Sequence, residues 1–184
     1  MAAAVTRFDY YNGASPVFTG ASFAGVSAEG GMKFNREDSL TGGTTPIPIP
    51  TATGTNYSWI KNLALDVTTV GTTSISNRRI YSSGAPATGL SLFYKSVATG
   101  SYAQAASGNM PAASGSNGAT PAGYTAMATS LGGSTAYDAS SVATTTLGVN
   151  GSLAVVVAGV DNTFAGGPGS ATALPNILLT YDEA

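Results

Sequence analysis

The sequence predicts an all-β protein, a β-sandwich of the jelly-roll or immunoglobulin-like type with an extended N-terminal arm. Three observations support this class. Several short segments alternate apolar and polar residues with the period of a strand. Glycine and proline, with 24 and 9 copies in 184 residues, separate these segments as turns do. Apolar residues spaced three and four apart, as in an amphipathic helix, are not sustained anywhere along the chain.

The extended N-terminal arm comprises residues 1–56 and ends in a proline-rich connector. In the segment 44–51, proline occupies every second position from Pro46 to Pro50, which fixes φ and removes amide donors. Such a run favours an extended, polyproline-like path and excludes a helix or a central strand. We therefore expect the connector to lie on a surface and to join the arm to the sandwich.

The β-sandwich domain is assigned to residues 57–184. Along 57–69, large apolar residues alternate with small or polar ones, which is the pattern of a half-buried strand, although Lys61 interrupts the apolar face. A turn at 70–73 leads into a second strand over 74–81, and we expect these two strands to form a hairpin. A third strand is predicted over 89–95.

A low-complexity loop rich in Ala, Ser, Gly and Thr follows at about 98–138. Structureless loops of this length are uncommon inside compact domains. We therefore expect one short strand near 124–128 and expect the rest of the loop to pack against another surface.

Strands resume after this loop. They are predicted over 140–147, over 152–160 after a hairpin turn at Asn150-Gly151, and over 176–182. The uninterrupted apolar run in 152–160 predicts a strand that is buried on both faces.

Composition excludes many functional classes. The chain has no Cys and no His, which removes thiolate nucleophiles, disulfides, imidazole bases and the usual zinc or haem ligands. Charged residues are 9% of the chain, against about 25% in a typical domain, and no cation follows Lys95. Nucleic-acid binding requires a basic stripe, which this pattern does not provide. We predict no nucleic-acid partner, no cofactor and no small-molecule substrate.

The sequence also gives no indication of a membrane partner. Its longest apolar run, 153–160, is far below the roughly 20 residues that span a bilayer. The first residues lack the apolar stretch of a signal peptide. We therefore expect a protein made in the cytoplasm.

Three short motifs have a catalytic or metal-binding interpretation, but a structural role is favoured for each. Ser58 and Lys61 have the spacing of serine acyl-enzymes, which requires a helical turn where this sequence predicts a strand. The acidic pairs 37–38 and 182–183 would point to opposite faces of a strand, unlike a pair of glycosidase carboxylates. Asp161-Asn162 lacks the spaced ligands of a calcium loop. We predict no enzyme and no metal site.

Assembly contacts are the one class of functional residue that the sequence predicts. Aromatic and Arg side chains are enriched at protein interfaces. The predicted contacts are Phe8, Tyr10, Tyr11, Ile47, Ile49, Arg78, Arg79, Tyr102 and Tyr124. For the arginine pair, we expect one member to face water and the other to bridge to an acid, here across a subunit boundary. An alternative is that exposed tyrosines form a sugar-binding platform, as in a carbohydrate-binding or adhesive module.

The low charge, the richness in Ala, Gly, Ser and Thr, the proline-laced arm and the terminal strand resemble small virion structural proteins of tailed bacteriophages. The segments 77–94, 155–160 and 174–183 carry this resemblance. It implies a non-enzymatic head or tail component, in the first place a capsid decoration or cement protein. A tail-tube or tail-fibre subunit is the alternative. The resemblance implies a location in the virion, with copies of the chain and other virion proteins, such as the major capsid protein, as partners.

Large apolar side chains are scarce, which also favours assembly. Leu, Ile, Val and Phe together number 35, about 19% of the chain. At about 2 kcal/mol each they supply roughly 70 kcal/mol, whereas ordering the backbone costs about 1–2 kcal/mol per residue. We therefore expect neighbouring subunits to complete the burial, with the arm of residues 1–56 gripping a neighbour.

Overall fold

A computed structural model describes residues 2–23, 25–28, 32–39, 45–149, 151–166 and 174–184. Its strands form two antiparallel sheets that pack against each other, which confirms the predicted all-β sandwich. The large sheet contains β1 (Val5–Tyr11), β2 (Val26–Ser27), β3 (Thr55–Tyr57), β4 (Lys61–Thr69), β6 (Leu90–Ala98), β7 (Thr125–Ala126), β10 (Gly148–Val149) and β11 (Ser152–Asp161). The small sheet contains β5 (Ser74–Ser82), β8 (Ala136–Asp138), β9 (Val142–Ala143) and β12 (Ile177–Glu183).

Strand order places β4 and β11 at the centre of the large sheet. The order is β2-β1-β4-β11-β6-β7, with β10 paired to β4 and β3 paired to β11. The small sheet has the order β12-β5-β8, with β9 also paired to β5. Among the residues that the structure describes, helical structure is confined to the short 3-10 turns Thr99–Ser101, Ser107–Asn109 and Leu131–Gly133. A helix of the length and apolarity needed to cross a bilayer does not occur in the described ranges.

The main core lies between the two sheets. Leu63 of β4 and Val156 of β11 pack there with Ile80 of the small sheet. The opposite face of the large sheet is also covered: Val155 and Val157 of β11 pack with Ala105 of the low-complexity loop. β11 is therefore buried on both faces, as predicted. β4 is likewise buried from Lys61 to Val67, instead of the half-buried strand that was expected.

The low-complexity loop forms this second cover. The Asn62 side-chain amide of β4 donates to the Ala103 carbonyl at 3.0 Å, and the Tyr57 hydroxyl donates to the Ala119 carbonyl at 2.7 Å. β7 lies where a short strand was expected within the loop. Because the loop supplies polar partners as well as apolar contacts, it allows the large sheet to bury polar side chains on its outer face.

The predicted hairpin between 57–69 and 74–81 is wrong. β4 belongs to the large sheet and β5 to the small sheet, so the turn at 70–73 carries the chain from one layer to the other. Local alternation specifies a strand and its faces but not its partner, because either sheet can bury the apolar face of β5.

The strands predicted near the C-terminus have mixed outcomes. The segments 89–95, 152–160 and 176–182 correspond to β6, β11 and β12. Of 140–147, only Val142–Ala143 is a strand. β10 pairs with β4, not with β11 as a hairpin at Asn150-Gly151 requires, and Asn150 itself lies outside the described residues.

The segment predicted as an arm begins with an integral strand. β1 pairs along its whole length with β4, and its Tyr10 and Tyr11 side chains are buried inside the chain. This placement corrects the prediction that these first residues extend away from the sandwich. The connector, described from Thr45 onward, has neither helix nor strand, as expected, and its Ile47 side chain is buried in the main core.

The exposed area contradicts the expectation that neighbours must complete the burial. A compact monomer of this mass exposes about 8100 Å², and this chain of 18.2 kDa exposes 8090 Å². The small side chains and buried polar groups therefore pack as completely as those of an ordinary monomer.

Candidate assembly surface

The edge of the small sheet at β12 is the first feature of the candidate surface. Among the described strands, β12 pairs only with β5. The Asn176 carbonyl accepts from the Ser83 amide at 2.9 Å. Since hydrogen-bonded pairs alternate along an antiparallel ladder, the backbone groups of Ile177 and Leu179 point away from β5. Within the described part of the chain, residues 177–179 therefore present an open strand edge.

A cavity lies beside this edge, between β12 and the β1–β4 side of the large sheet. Its volume is about 740 Å³. Apolar side chains and polar groups share the lining. The apolar side chains include Phe8, Ala28, Met32, Phe34, Leu65, Leu174, Ile177 and Leu179, and the polar residues are Thr6, Arg7, Asn176 and Tyr181. At one side, the Thr6 and Tyr181 hydroxyls lie 3.1 Å apart and link β1 to β12. We call the open edge at 177–179 together with this cavity the β12 groove.

Leu178 adds an exposed apolar side chain to the same edge. It is 39% exposed and lies between Ile177 and Leu179, which both pack on the main core. The sequence predictions do not include this groove. The run Ile-Leu-Leu at 177–179 could have indicated it, because successive side chains of a strand point to opposite faces. At least one of these large apolar side chains must therefore lie on the outer face.

Most of the predicted contact residues from the arm are used inside the chain. The Tyr10 hydroxyl donates to Asp38 at 2.8 Å, and the Tyr11 hydroxyl donates to Asp66. Ile47 is buried and Ile49 is half-buried against the main core. These four residues do not form a free surface.

The other predicted contacts are spread over the molecule. Phe8 lines the β12 groove. Tyr102 packs edge-on against Phe18, with ring centroids 5.5 Å apart. The Tyr124 ring lies 4.7 Å from the Lys95 amine. Only Phe8 among these therefore contributes to the groove.

The arginine pair divides between the two sides of the small sheet. Arg79 faces outward and lies 3.4 Å from Asp182 of β12. Arg78 is buried and forms an ion pair with Asp138 at 2.6 Å. Its partner therefore lies in the same chain, which corrects the expected bridge across a subunit boundary. The Nε and Nη1 atoms of Arg78 find no hydrogen-bond partner among the described residues.

Asp138 is held in its charged form by this environment. Burial alone raises the pKa of Asp138, but hydrogen bonds from the Ser140 hydroxyl and amide outweigh it. The Ser152 amide and Arg78 act in the same direction, so the pKa lies well below its ordinary value. An acid that remains charged inside the protein balances the buried guanidinium.

Asp66 has the opposite behaviour. Burial and, after it, a hydrogen bond with the Asp9 carboxyl raise its pKa to about 8. Asp9 in turn forms an ion pair with Arg7. Because neighbouring carboxylates repel when both are charged, Asp66 holds its proton to a higher pH than an exposed aspartate does. This cluster was missed because β1 and β4 are about 50 residues apart and its partners are not adjacent in sequence.

The motifs considered for catalysis have structural partners instead. The Ser58 hydroxyl donates to the Trp59 carbonyl and accepts from the Ala158 amide. The Glu37 carboxylate accepts from the Thr45 amide at 2.7 Å. Asp161 accepts from the amide and hydroxyl of Thr163. In the described part of the chain, no three His, Cys, Asp or Glu side chains lie close enough to hold a metal ion.

Comparison with known proteins adds no relationship: no family model matches the chain, and no curated protein or solved structure is detectably similar to it.

Proposed function

We propose that this chain is a non-enzymatic structural protein of a tailed-bacteriophage virion, in the role of a capsid decoration or cement subunit. Its partners are copies of itself and the major capsid protein. The β12 groove is the surface through which it binds them. Binding stabilises the particle by adding contacts between neighbouring subunits.

The β12 groove is the observation that carries this proposal. An open strand edge offers backbone donors and acceptors to a strand of another chain. The cavity next to it accepts apolar side chains from the same segment, so hydrogen bonding and apolar burial reinforce each other. Leu178 at the edge provides a further apolar contact. An unpaired, apolar edge of this kind is usually protected in a protein that remains monomeric.

Because the core is complete within one chain, folding of the subunit would come before its assembly. Because the chain exposes only the area of a compact monomer, it folds first and then docks. A subunit that is added to a preformed shell must likewise be folded before it binds. The low charge of the chain, with 9% charged residues, also favours close contact with a neighbouring surface.

The proposal is tested with Leu178→Lys and a matched control, Leu131→Lys. Leu131 is 47% exposed and lies in a 3-10 turn of the low-complexity loop, outside the strands of both sheets. Light scattering after size-exclusion chromatography measures self-association, and co-sedimentation with empty heads of the phage that encodes the chain measures particle binding. We expect Leu178→Lys to reduce both at least about tenfold, because a charge at a strand edge opposes pairing. The control should behave like the wild type.

The outcomes separate the candidate functions. A wild-type chain that stays monomeric and does not bind heads contradicts the decoration role. Closed rings or tubes seen by electron microscopy, without binding to heads, favour the tail-tube alternative. The carbohydrate-binding alternative has less support, because none of the nine tyrosines is fully exposed.

A further inference from the structure

A buried lysine and a buried asparagine meet beside β4, outside the β12 groove. Lys61 is 0% exposed and Asn35 is 5% exposed. The Lys61 Nζ atom lies 2.9 Å from the Asn35 Oδ1 atom. Its other two contacts are the main-chain carbonyl oxygens of Glu37 and Ser39, at 2.7 and 2.6 Å. The amine is thus enclosed by three oxygens of one segment.

The protein holds Asn35 firmly in this position. Its carbonyl accepts from the Trp59 amide at 3.0 Å. The next residue, Arg36, donates from Nε to the Tyr57 carbonyl at 3.3 Å. The segment 32–39 is therefore fixed to the strand region that contains Lys61, and the two side chains need no large movement to react.

We propose that Lys61 and Asn35 join spontaneously in an isopeptide bond, a covalent link between two side chains of the folded protein. The Lys61 ammonium first loses a proton, and the neutral amine attacks the Asn35 Cγ atom. The bond between Cγ and Nδ2 then breaks, and the amide nitrogen leaves as ammonia. The amine and the primary amide become one secondary amide plus ammonia, so no oxidant, reductant or further reactant is needed.

Burial increases the fraction of neutral amine. Burial lowers the pKa of Lys61 to about 8, so roughly a tenth of the amine is neutral at pH 7. The Tyr10 ring, with its centroid 5.8 Å from Nζ, forms part of the enclosure. A neutral amine that is shielded from water is a competent nucleophile.

Asp38 lies near the pair, but among the described residues it forms no ion pair with Lys61 within 4 Å. Its charge acts on Lys61, partly opposing the effect of burial. The Tyr10 hydroxyl and the Gly13 amide donate to its two oxygens at 2.8 and 2.9 Å, which fixes its orientation. Its effect on Lys61 is therefore electrostatic and favours the charged amine, and the proton that Lys61 releases leaves with the ammonia as an ammonium ion.

The bond would provide a covalent cross-link, which a chain without cysteine otherwise lacks. The chain has no Cys and so forms no disulfide. A link from Asn35 to Lys61 closes the intervening segment covalently and ties 32–39 to β4. This inference depends only on the buried pair and stands independently of the virion role.

Intact-mass spectrometry of the full chain tests the proposal, before and after several days at about pH 9, one unit above the pKa of Lys61. We expect the mass to fall by about 17 Da, the mass of ammonia. Trypsin should then leave Lys61 uncut and yield the peptide 34–36 attached to the peptide 37–78. An unchanged mass overturns the proposal, and so does a loss of ammonia with normal cleavage at Lys61, which indicates a succinimide at Asn35.

Two variants sharpen this test. Asn35→Asp keeps the reacting carbon but changes the leaving group to water, so its mass should fall by about 18 Da. Asp38→Asn keeps both partners and removes a charge that favours the ammonium form of Lys61, so the linkage should form at least as fast as in the wild type. A slower linkage in Asp38→Asn would contradict this electrostatic role. Circular dichroism of each variant establishes that the sandwich is folded.

Discussion

The two sheets of this molecule differ in how many of their faces are covered by other parts of the chain. The large sheet is covered on one face by the small sheet and on the other by the low-complexity loop. As far as the described ranges show, the small sheet buries one face, and β5 alternates between buried and less buried positions as a half-covered strand does. Its β12 edge is open among the described strands.

This difference determines where polar groups are placed. The covered large sheet buries Asn62 and Asp66, with partners supplied by the low-complexity loop and by β1. The small sheet buries Arg78 on its inner side and leaves Arg79 on its outer side. Polar groups inside the protein thus contribute to the fold, while those outside are available for contact.

The largest expected effect comes from the inner side of the small sheet. Asp138→Ala should lower the free energy of unfolding by about 3–5 kcal/mol, because it leaves the Arg78 guanidinium buried without a counter-charge. Urea denaturation followed by the fluorescence of Trp59, the single tryptophan, measures this loss. Asp182→Ala removes the partner of Arg79 on the outer side and should leave the midpoint unchanged. Equal losses in both variants would contradict the distinction between the two sides.

A smaller effect is expected from the outer face of the large sheet, where Asp66 is buried. Its pKa of about 8 in the folded chain exceeds the ordinary value of 3.8. The folded state therefore keeps a proton that the unfolded chain releases, and stability should fall as the pH rises between these two values. Urea midpoints measured between about pH 5 and pH 7 test this slope.

Asp66→Asn should flatten that slope, because an amide stays uncharged across the whole range. Asp182→Asn is the matched control. The Asn77 amide lowers the pKa of Asp182, so its titration falls below the tested range and the slope should remain. A slope that survives in Asp66→Asn would show that another group causes it.

The smallest effect on folding is expected at the β12 edge. Leu178→Lys, which should weaken association strongly, is expected to change the free energy of unfolding by less than about 0.5 kcal/mol, because the side chain is exposed. Urea denaturation at low protein concentration checks this. A large destabilisation would mean that β12 serves the core and not an interface.

Sequence reasoning located strands well but not their partners. Period-two alternation identified β4, and the continuous apolar run identified β11 as doubly buried. The same patterns could not reveal that β5 belongs to another sheet or that β1 completes the large one, because pairing is decided by residues far apart in the chain.

Burial was harder to predict where the residues are small or polar. By its pattern Lys61 interrupts an apolar face, yet it is fully buried because three oxygens from residues 35–39 accept hydrogen bonds from its amine. The low count of large apolar residues suggested an incomplete core, yet the exposed area is that of a compact monomer. Composition gives only the number of each side chain, whereas the burial of a polar group depends on hydrogen-bond partners that the tertiary fold brings to it.

The central place of β4 has a consequence for how quickly the native state forms. β4 pairs with β1, more than fifty residues earlier, and with β11, about ninety residues later. Contacts of such long sequence separation must be closed before they stabilise the sheet, which places two-state β proteins in the millisecond-to-second range. On a ribosome, the central sheet stays incomplete until β11 has emerged. Stopped-flow refolding should therefore be slow, and a chain ending before β11 should be vulnerable to proteolysis.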